Sequence, residues 1–507
     1  MNTSYLTSSG NAGSLAITSP RRWMGLRWVL LFIFPVGWYF TQAYYKYNPT
    51  YLISTLVATV SLGFLLLILG RSSRSVFALA IWIIVGIVVA GYFVKFYWLS
   101  GLATIDGVVT DSFDNKTLAL ASMPDLMLKT YWVFTIGFVA FCLSAMLALI
   151  LLEVADGELL NSSLILEDRA EDSLREKVRR LVIPLLIFTA VAMIISAGAQ
   201  YVLGIGVAGV QAQTTSYRLG GIIFYLRSIS LPFFLLLILW LTDKFYLKKI
   251  FAVSLVLLLV HGLTQTLLTA SRGALPGLFI PLVLIWILSG KFNFSRKLLT
   301  VVSLVVVLLL HPLISNYRMA RIGGNASDLS GAISSSTEKA SSRETDNVIK
   351  DLLMSGIGGY SARIPGTECI LMVLEYGESK GLFYYLFNKR SLGDIYTQDV
   401  AGMDPEAVIG ISPSLMGMFF LLAGYAGVVI GMTGWVFLWF FVCLVLQRMK
   451  MKTVVVQLAM ICLLIALVTS EGDIGNLPFR LLLLAGNFLL GEFLVRKFIF
   501  RFGQQAA

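Results

Sequence analysis

The chain has 507 residues, of which 57% are hydrophobic and only 13% are charged, and its mean hydropathy is +0.83. Soluble globular domains carry about 25% charged residues, so this composition excludes an ordinary soluble protein. Lys and Arg outnumber Asp and Glu by 39 to 28, which gives a net charge of +11. In a membrane protein such an excess reflects topology, so it does not indicate nucleic-acid binding.

Twelve apolar runs along the chain predict twelve transmembrane helices. The runs lie at roughly 24–42, 51–69, 76–99, 131–152, 181–203, 219–241, 250–270, 274–289, 298–314, 414–446, 453–470 and 478–495. Twelve spans of about 20 residues occupy about 240 residues, which leaves room for sizeable loops. The run at 414–446 is long enough to begin with a short interfacial helix. The predicted fold class is therefore an all-α polytopic membrane protein.

The distribution of Lys and Arg predicts that both termini lie in the cytoplasm. In that orientation 22 cations lie in inner segments and 8 in outer ones, apart from nine in one long loop. Long loops are exempt from the positive-inside rule. The predicted organisation is a tail at 1–23, nine spans over 24–314 with a cytoplasmic loop at 153–180, a large periplasmic loop at 315–412, three spans over 413–497 and a tail at 498–507.

The large loop contains one well-marked helix. It is predicted to begin at Pro365, because proline suits a first helical position, and to end near Tyr376, because Gly377 follows. The shorter cytoplasmic loop is rich in both charge signs and predicts a solvated amphipathic helix.

Several arginines are predicted within the membrane or at its outer face. Arg227 lies eight residues into its run, about 12 Å below the outer boundary. An arginine at a helix centre costs about 2.5–3.5 kcal/mol, so this depth indicates a function. His261, Gln265, Thr269 and Arg272 share one helical face. The other cations at this face are Arg218, Arg318, Arg321, Arg363 and Arg480.

Guanidinium groups gathered at one membrane face predict a site for a multivalent anion, such as a lipid phosphate or pyrophosphate, because they bind phosphate oxygens through paired hydrogen bonds. Headgroup anchoring explains single arginines equally well, but it explains Arg227 less well. Carboxylates near these cations are candidates for a general base: Glu368 and Glu375 on the Pro365 helix, and Glu471 and Asp473 in an outer turn.

The sequence carries no motif for a metal, a nucleotide or a cofactor. Cysteine and histidine do not occur at zinc-binding spacing, and the P-loop, the nucleophile elbow and the dinucleotide fingerprint are all absent. An activated lipid must therefore supply the leaving group of any transfer reaction at the outer face.

Three stretches resemble the Wzy-type polysaccharide polymerases, which are related to the O-antigen ligases. They are Leu268-Thr269-Ala270-Ser271-Arg272-Gly273-Ala274, the Arg363-Ile364-Pro365-Gly366 segment with its following helix, and Ser412-Pro413-Ser414-Leu415-Met416-Gly417 continuing to Gly427. The resemblance covers roughly residues 180–450. The chain departs from the family pattern at Met418, where the family often has Glu, and at Lys389-Arg390, where it often has Pro-Arg.

The resemblance implies a GT-C-like glycosyltransferase that needs neither metal nor nucleotide. It would polymerise polyprenyl-pyrophosphate-linked oligosaccharide repeat units into O-antigen or exopolysaccharide on the periplasmic face of a bacterial inner membrane. Its expected partners are that lipid-linked oligosaccharide and membrane lipid, with a polysaccharide chain-length regulator as a further candidate. The expected catalytic residues are Arg272, Arg363 and Glu368, and the expected pyrophosphate-binding residues are Arg218, Arg227, Arg318, Arg321 and Arg480.

Two other functions fit parts of the same pattern. A ligase that moves finished polymer to another lipid needs the same donor-binding cations. A lipid-linked oligosaccharide flippase fits the twelve spans and the buried arginine. The long outer loop and the lack of an inverted repeat favour an enzyme over the flippase.

Overall fold

The computed structural model describes residues 49–71, 76–97, 115–155, 172–203, 219–269, 274–288, 293–322, 366–376, 395–400, 414–448 and 477–497, together with a few single residues outside these ranges. Within these ranges the chain is helical and forms no strand. The predicted all-α class is therefore confirmed. A helix satisfies all of its own backbone hydrogen bonds, which is what an apolar segment requires in lipid.

The helices of the first half begin with α1, Pro49–Arg71. Helix α2 consists of Val76–Val88, a π-helical turn at Val89–Val94 and a final turn at Lys95–Tyr97. Then come α3, Asn115–Ala121, α4, Pro124–Ala155, and α5, Asp172–Leu203. The predicted polar loop at 153–180 is thus helical at both ends, and its middle lies outside the described residues.

The second half begins with α6, which consists of Leu219–Tyr225, a π-helical turn at Leu226–Ser230 and Leu231–Lys244. It continues with α7, Lys248–Thr269, α8, Ala274–Leu288, and α9, Phe294–Ile322. Helix α10 is Thr367–Tyr376, and a π-helical turn follows at Tyr396–Val400. The last helices are α11, Leu415–Arg448, and α12, Leu477–Val495.

The lengths and surfaces of these helices are those of a multi-pass membrane protein. Seven of the described helices, α1, α4, α5, α6, α7, α9 and α11, are long and apolar enough to cross a membrane. Shorter apolar helices lie at Ile81–Phe93, Gly277–Trp286 and Leu481–Val495. Large apolar side chains such as Phe188 and Ile194 on α5 are 70% and 73% exposed, and such a surface suits contact with lipid. The predicted runs at 24–42 and 453–470 lie outside the described ranges.

The helices pack in two groups, each with its own core. In the first, α4 lies between α1 and α11, and α10 packs against the same helix. In the second, α6 lies between α5 and α7, with α8 and α12 beside them. Gly137 of α4 allows α11 to approach closely, since a Cβ there would meet Met416 and Val428.

Helix α11 is broken near its start. Ala423 and Gly424 leave helical geometry, and Gly424 has a φ of 59°, a value that glycine adopts readily. A short helix therefore precedes the main one, as the length of the 414–446 run predicted.

Helix α10 is enclosed by the rest of the protein. Its bounds agree closely with the predicted helix, but Cys369, Ile370, Leu371 and Val373 are all buried in the first core. A helix that is apolar almost all round must be covered by neighbours. Part of the large loop therefore belongs to the folded core.

Candidate functional site

Arg227 lies at the centre of a buried polar cluster between α5, α6 and α7. Its side chain is 0% exposed. The guanidinium donates from Nε to Gln265 Oε1 at 2.7 Å, from Nη1 to the Met193 carbonyl at 3.3 Å and from Nη2 to Thr264 Oγ1 at 3.4 Å. All three acceptors are neutral. No carboxylate among the described residues pairs with this guanidinium.

The polar face predicted on α7 is present. His261, Gln265 and Thr269 are 1%, 6% and 2% exposed, whereas Leu263 and Leu267 are each 41% exposed on another side of the helix. The polar stripe therefore faces the interior of the protein, and the apolar side of α7 lies on the outer surface. This arrangement follows from the cost of exposing polar groups to lipid.

His261 connects α7 to the backbone of α6. Its Nε2 lies 2.9 Å from the carbonyl oxygen of Arg227. Because a carbonyl oxygen only accepts, Nε2 carries the hydrogen and donates it. The Thr264 hydroxyl donates in turn to the His261 carbonyl at 3.0 Å. His261 therefore helps to fix the π-helical turn that carries Arg227, and it is a hydrogen-bonded core histidine.

A second buried cation was missed by the sequence reasoning. Lys95 is 1% exposed, and its Nζ lies 2.5 Å from Glu368 Oε1. Glu368 is the predicted general base on α10. Burial raises the pKa of the Glu368 carboxyl, and the neighbouring Lys95 ammonium opposes that shift. Lys95 could have been found by the same rule that identified Arg227, since it is a charge inside an apolar run.

Further contacts join α10 to α2 beside this ion pair. The Thr367 hydroxyl donates to the Tyr92 carbonyl at 2.7 Å, and a Cβ on Gly366 would overlap the backbone of Gly91. The two backbones are therefore in direct contact, which only glycine permits at this position. The start of α10 is thus fixed by backbone contact, a hydrogen bond and an ion pair.

Glu375, the other predicted carboxylate on α10, has a different environment. Its Oε2 lies 3.1 Å from Lys116 Nζ, and both side chains are 41% exposed. A half-exposed pair of this kind contributes little to stability. Glu368 and Glu375 lie on the same helix, but only the first is enclosed by the protein.

Some of the remaining predicted site residues lie outside the described ranges, and the others lie on α9 and α12. Arg218, Arg272 and Arg363 are outside them, as are Glu471 and Asp473. Arg318 and Arg321 belong to the last turns of α9, and Arg480 to the first turn of α12. The structure thus brings Arg227 together with the α7 polar stripe, which ends at Thr269, three residues before Arg272.

Comparisons of the chain with protein-family models, curated proteins and solved structures gave no match. An assignment of function therefore depends on the chemistry of the residues described above.

Proposed function

We propose that this chain is a membrane-embedded glycosyltransferase that polymerises polyprenyl-pyrophosphate-linked oligosaccharide repeat units. In this proposal the chain has twelve spans in a GT-C-like arrangement and both termini in the cytoplasm. The reaction takes place on the periplasmic face of a bacterial inner membrane, and the product is O-antigen or exopolysaccharide.

The observation that carries the proposal is the environment of Arg227. Burying a charge is costly unless an opposite charge compensates it. Arg227 is fully buried, and its described partners are the neutral acceptors Gln265, Thr264 and the Met193 carbonyl. A fixed positive charge in weakly polarisable surroundings acts on an anion over several ångströms. A nearby pyrophosphate supplies the missing negative charge.

In the proposal, two cations that are close in sequence to the ends of α6 and α7 extend this positive region. The described stripe ends at Thr269, and Arg272 follows three residues later. Arg218 precedes the first residue of α6, the helix that carries Arg227. In the proposal these cations bind the pyrophosphate together with Arg318, Arg321, Arg363 and Arg480.

The proposed reaction requires little beyond the positive charge around the pyrophosphate. A sugar hydroxyl of the incoming repeat attacks the anomeric carbon of the growing chain. The bond from that carbon to the pyrophosphate oxygen breaks, and the hydroxyl proton passes to a base. Negative charge develops on the leaving pyrophosphate, which is where fixed cations lower the barrier most.

The test of the site is to replace Arg272 and Arg363 singly with alanine. Loss of one group that stabilises developing charge reduces the rate by about 10²–10³-fold, so long polymer should disappear and single repeats accumulate. The matched control is Arg180→Ala, which removes an exposed cation paired with the half-exposed Glu176 and should leave polymer length unchanged. Long polymer in the Arg272 and Arg363 variants at normal protein levels would refute the assignment.

A further inference from the structure

The contact between α10 and α2 contains the most enclosed ion pair that the described residues form, and one member of that pair is Glu368, the predicted general base. Lys95 and Glu368 are separated by 273 residues in the chain, and their side chains are 1% and 14% exposed. The other described pairs are more open, with Arg296 and Asp243 at 18% and 13% and Lys116 and Glu375 at 41% each.

The π-helical turn of α2 explains why Lys95 faces α10. A π turn contains one more residue than an α turn, and each residue of a helix turns by about 100°. Residues after Val89–Val94 are therefore rotated relative to the first part of α2. Lys95 is the first residue after that turn, and it is buried beside the start of α10.

The sequence limits how far Arg363 can lie from the start of α10. Arg363 lies three residues before Gly366, which contacts the α2 backbone. Consecutive Cα atoms are about 3.8 Å apart, so the Cα atom of Arg363 lies within about 11 Å of that of Gly366. A proline has a fixed φ and disfavours helical geometry in the residue before it, and Pro365 directly precedes Gly366 in the sequence. Whatever fixes the start of α10 therefore also limits the region that Arg363 can reach.

We propose that Lys95 and Glu368 form a docking pair that holds α10 on α2 and thereby positions Arg363 at the substrate site. Both are then positioning residues, and neither transfers a proton. The role of Arg363 in this statement rests on the proposed function, whereas the docking itself does not.

The docking is testable through Cys369, the residue that follows Glu368. Cys369 is 3% exposed in the first core, and burial, together with the neighbouring Glu368 carboxylate, raises its pKa to about 12, so a thiol reagent should react very slowly while α10 is docked. The test protein, in nanodiscs, keeps Cys369 and carries alanine at Cys142, Cys443 and Cys462.

Breaking the pair should release the helix. Lys95→Met or Glu368→Gln breaks the buried ion pair by removing one member, which is strongly destabilising, so Cys369 should react about 100-fold faster. Lys95→Met combined with Glu368→Met removes both charges and should restore protection. Lys116→Met and Glu375→Gln are the matched controls on the half-exposed pair, and they should leave the rate unchanged. The Glu368 carboxylate also raises the pKa of the Cys369 thiol, whereas the Lys95 ammonium lowers it, so Lys95→Met is the decisive variant. Slow reaction of Cys369 in Lys95→Met would overturn the docking.

A double-mutant cycle with Arg363 tests the positioning step. If Lys95 acts through Arg363, Lys95→Met should reduce polymer yield strongly in the native background and hardly at all in Arg363→Ala. The charge-free double variant of Lys95 and Glu368 should regain polymerisation, which it could not do if Glu368 were the base. Additive losses, or a charge-free variant that is docked but inactive, would overturn the positioning role.

The two proposals fail in different ways. A wild-type protein that makes no polymer but protects Cys369 would refute the polymerase and leave the docking pair in place. A wild-type polymerase whose single variants keep Cys369 protected would refute the docking pair alone.

Discussion

Replacing Arg227 with methionine separates a role in binding an anion from a role in packing. The substitution leaves Gln265 Oε1, which accepts from Nε at 2.7 Å, without its donor. A buried acceptor without a partner costs about 1–3 kcal/mol. Removing the buried charge offsets part of that loss, because uncompensated charges are themselves costly. The single variant should therefore lose at most about 3 kcal/mol of stability.

The double variant Arg227→Met with Gln265→Met removes both the donor and the acceptor. Replacing both partners of a hydrogen bond by apolar groups of similar shape is nearly neutral, so the thermal unfolding midpoint in nanodiscs should return close to the wild-type value. The rate of polymer formation should stay about 10²–10³-fold below wild type, since the positive charge is still missing. A double variant that folds normally and polymerises at the wild-type rate would show that Arg227 acts only in packing.

Three further variants test particular contacts. Gly366→Ala places a Cβ on the α2 backbone, so the thiol-protection assay should detect release of α10, whereas Gly86→Ala on α2 meets nothing within 4 Å and should behave as wild type. Gly137→Ala places a Cβ 2.8–2.9 Å from side chains of α11 and should lower the unfolding free energy by about 1–3 kcal/mol in thermal or denaturant unfolding. Asp243→Asn weakens the 2.5 Å ion pair with Arg296 and should lower the unfolding midpoint while polymer length stays unchanged. The contact of Gly366 with α2 would be contradicted if Gly366→Ala and Gly86→Ala behaved alike. The close packing at Gly137 would be contradicted if Gly137→Ala were fully stable. The purely structural role of the Asp243 pair would be contradicted if Asp243→Asn shortened the polymer.

The features that follow from local patterns were predictable from the sequence. The apolar runs gave the helical class, and the spacing of His261, Gln265 and Thr269 gave the buried face of α7. The bounds of α10 followed from Pro365 and Gly377, which mark a helix start and stop. Each of these signals lies within about twenty residues of sequence, where helix periodicity is reliable.

The features that depend on distant contacts were not predictable. The pairing of Lys95 with Glu368 joins segments 273 residues apart, and it depends on a π turn that interrupts the regular helical period. The apolar run from Cys369 to Leu374 did signal a covered helix. The neighbours that cover it are distant in sequence, so the pattern could place the helix only within a large periplasmic loop. A deletion of residues 345–400 would therefore remove part of the core together with the loop.

The measurement that tests the central claim most directly is reconstitution of the purified protein in liposomes. Polyprenyl-pyrophosphate-linked oligosaccharide is the only substrate, no nucleotide is added, a chelator removes divalent metal, and the products are separated on a gel. The account predicts a ladder of multiples of the repeat unit, which Arg272→Ala and Arg363→Ala abolish. The absence of a ladder, with lipid-linked oligosaccharide instead moving across the bilayer, would contradict it.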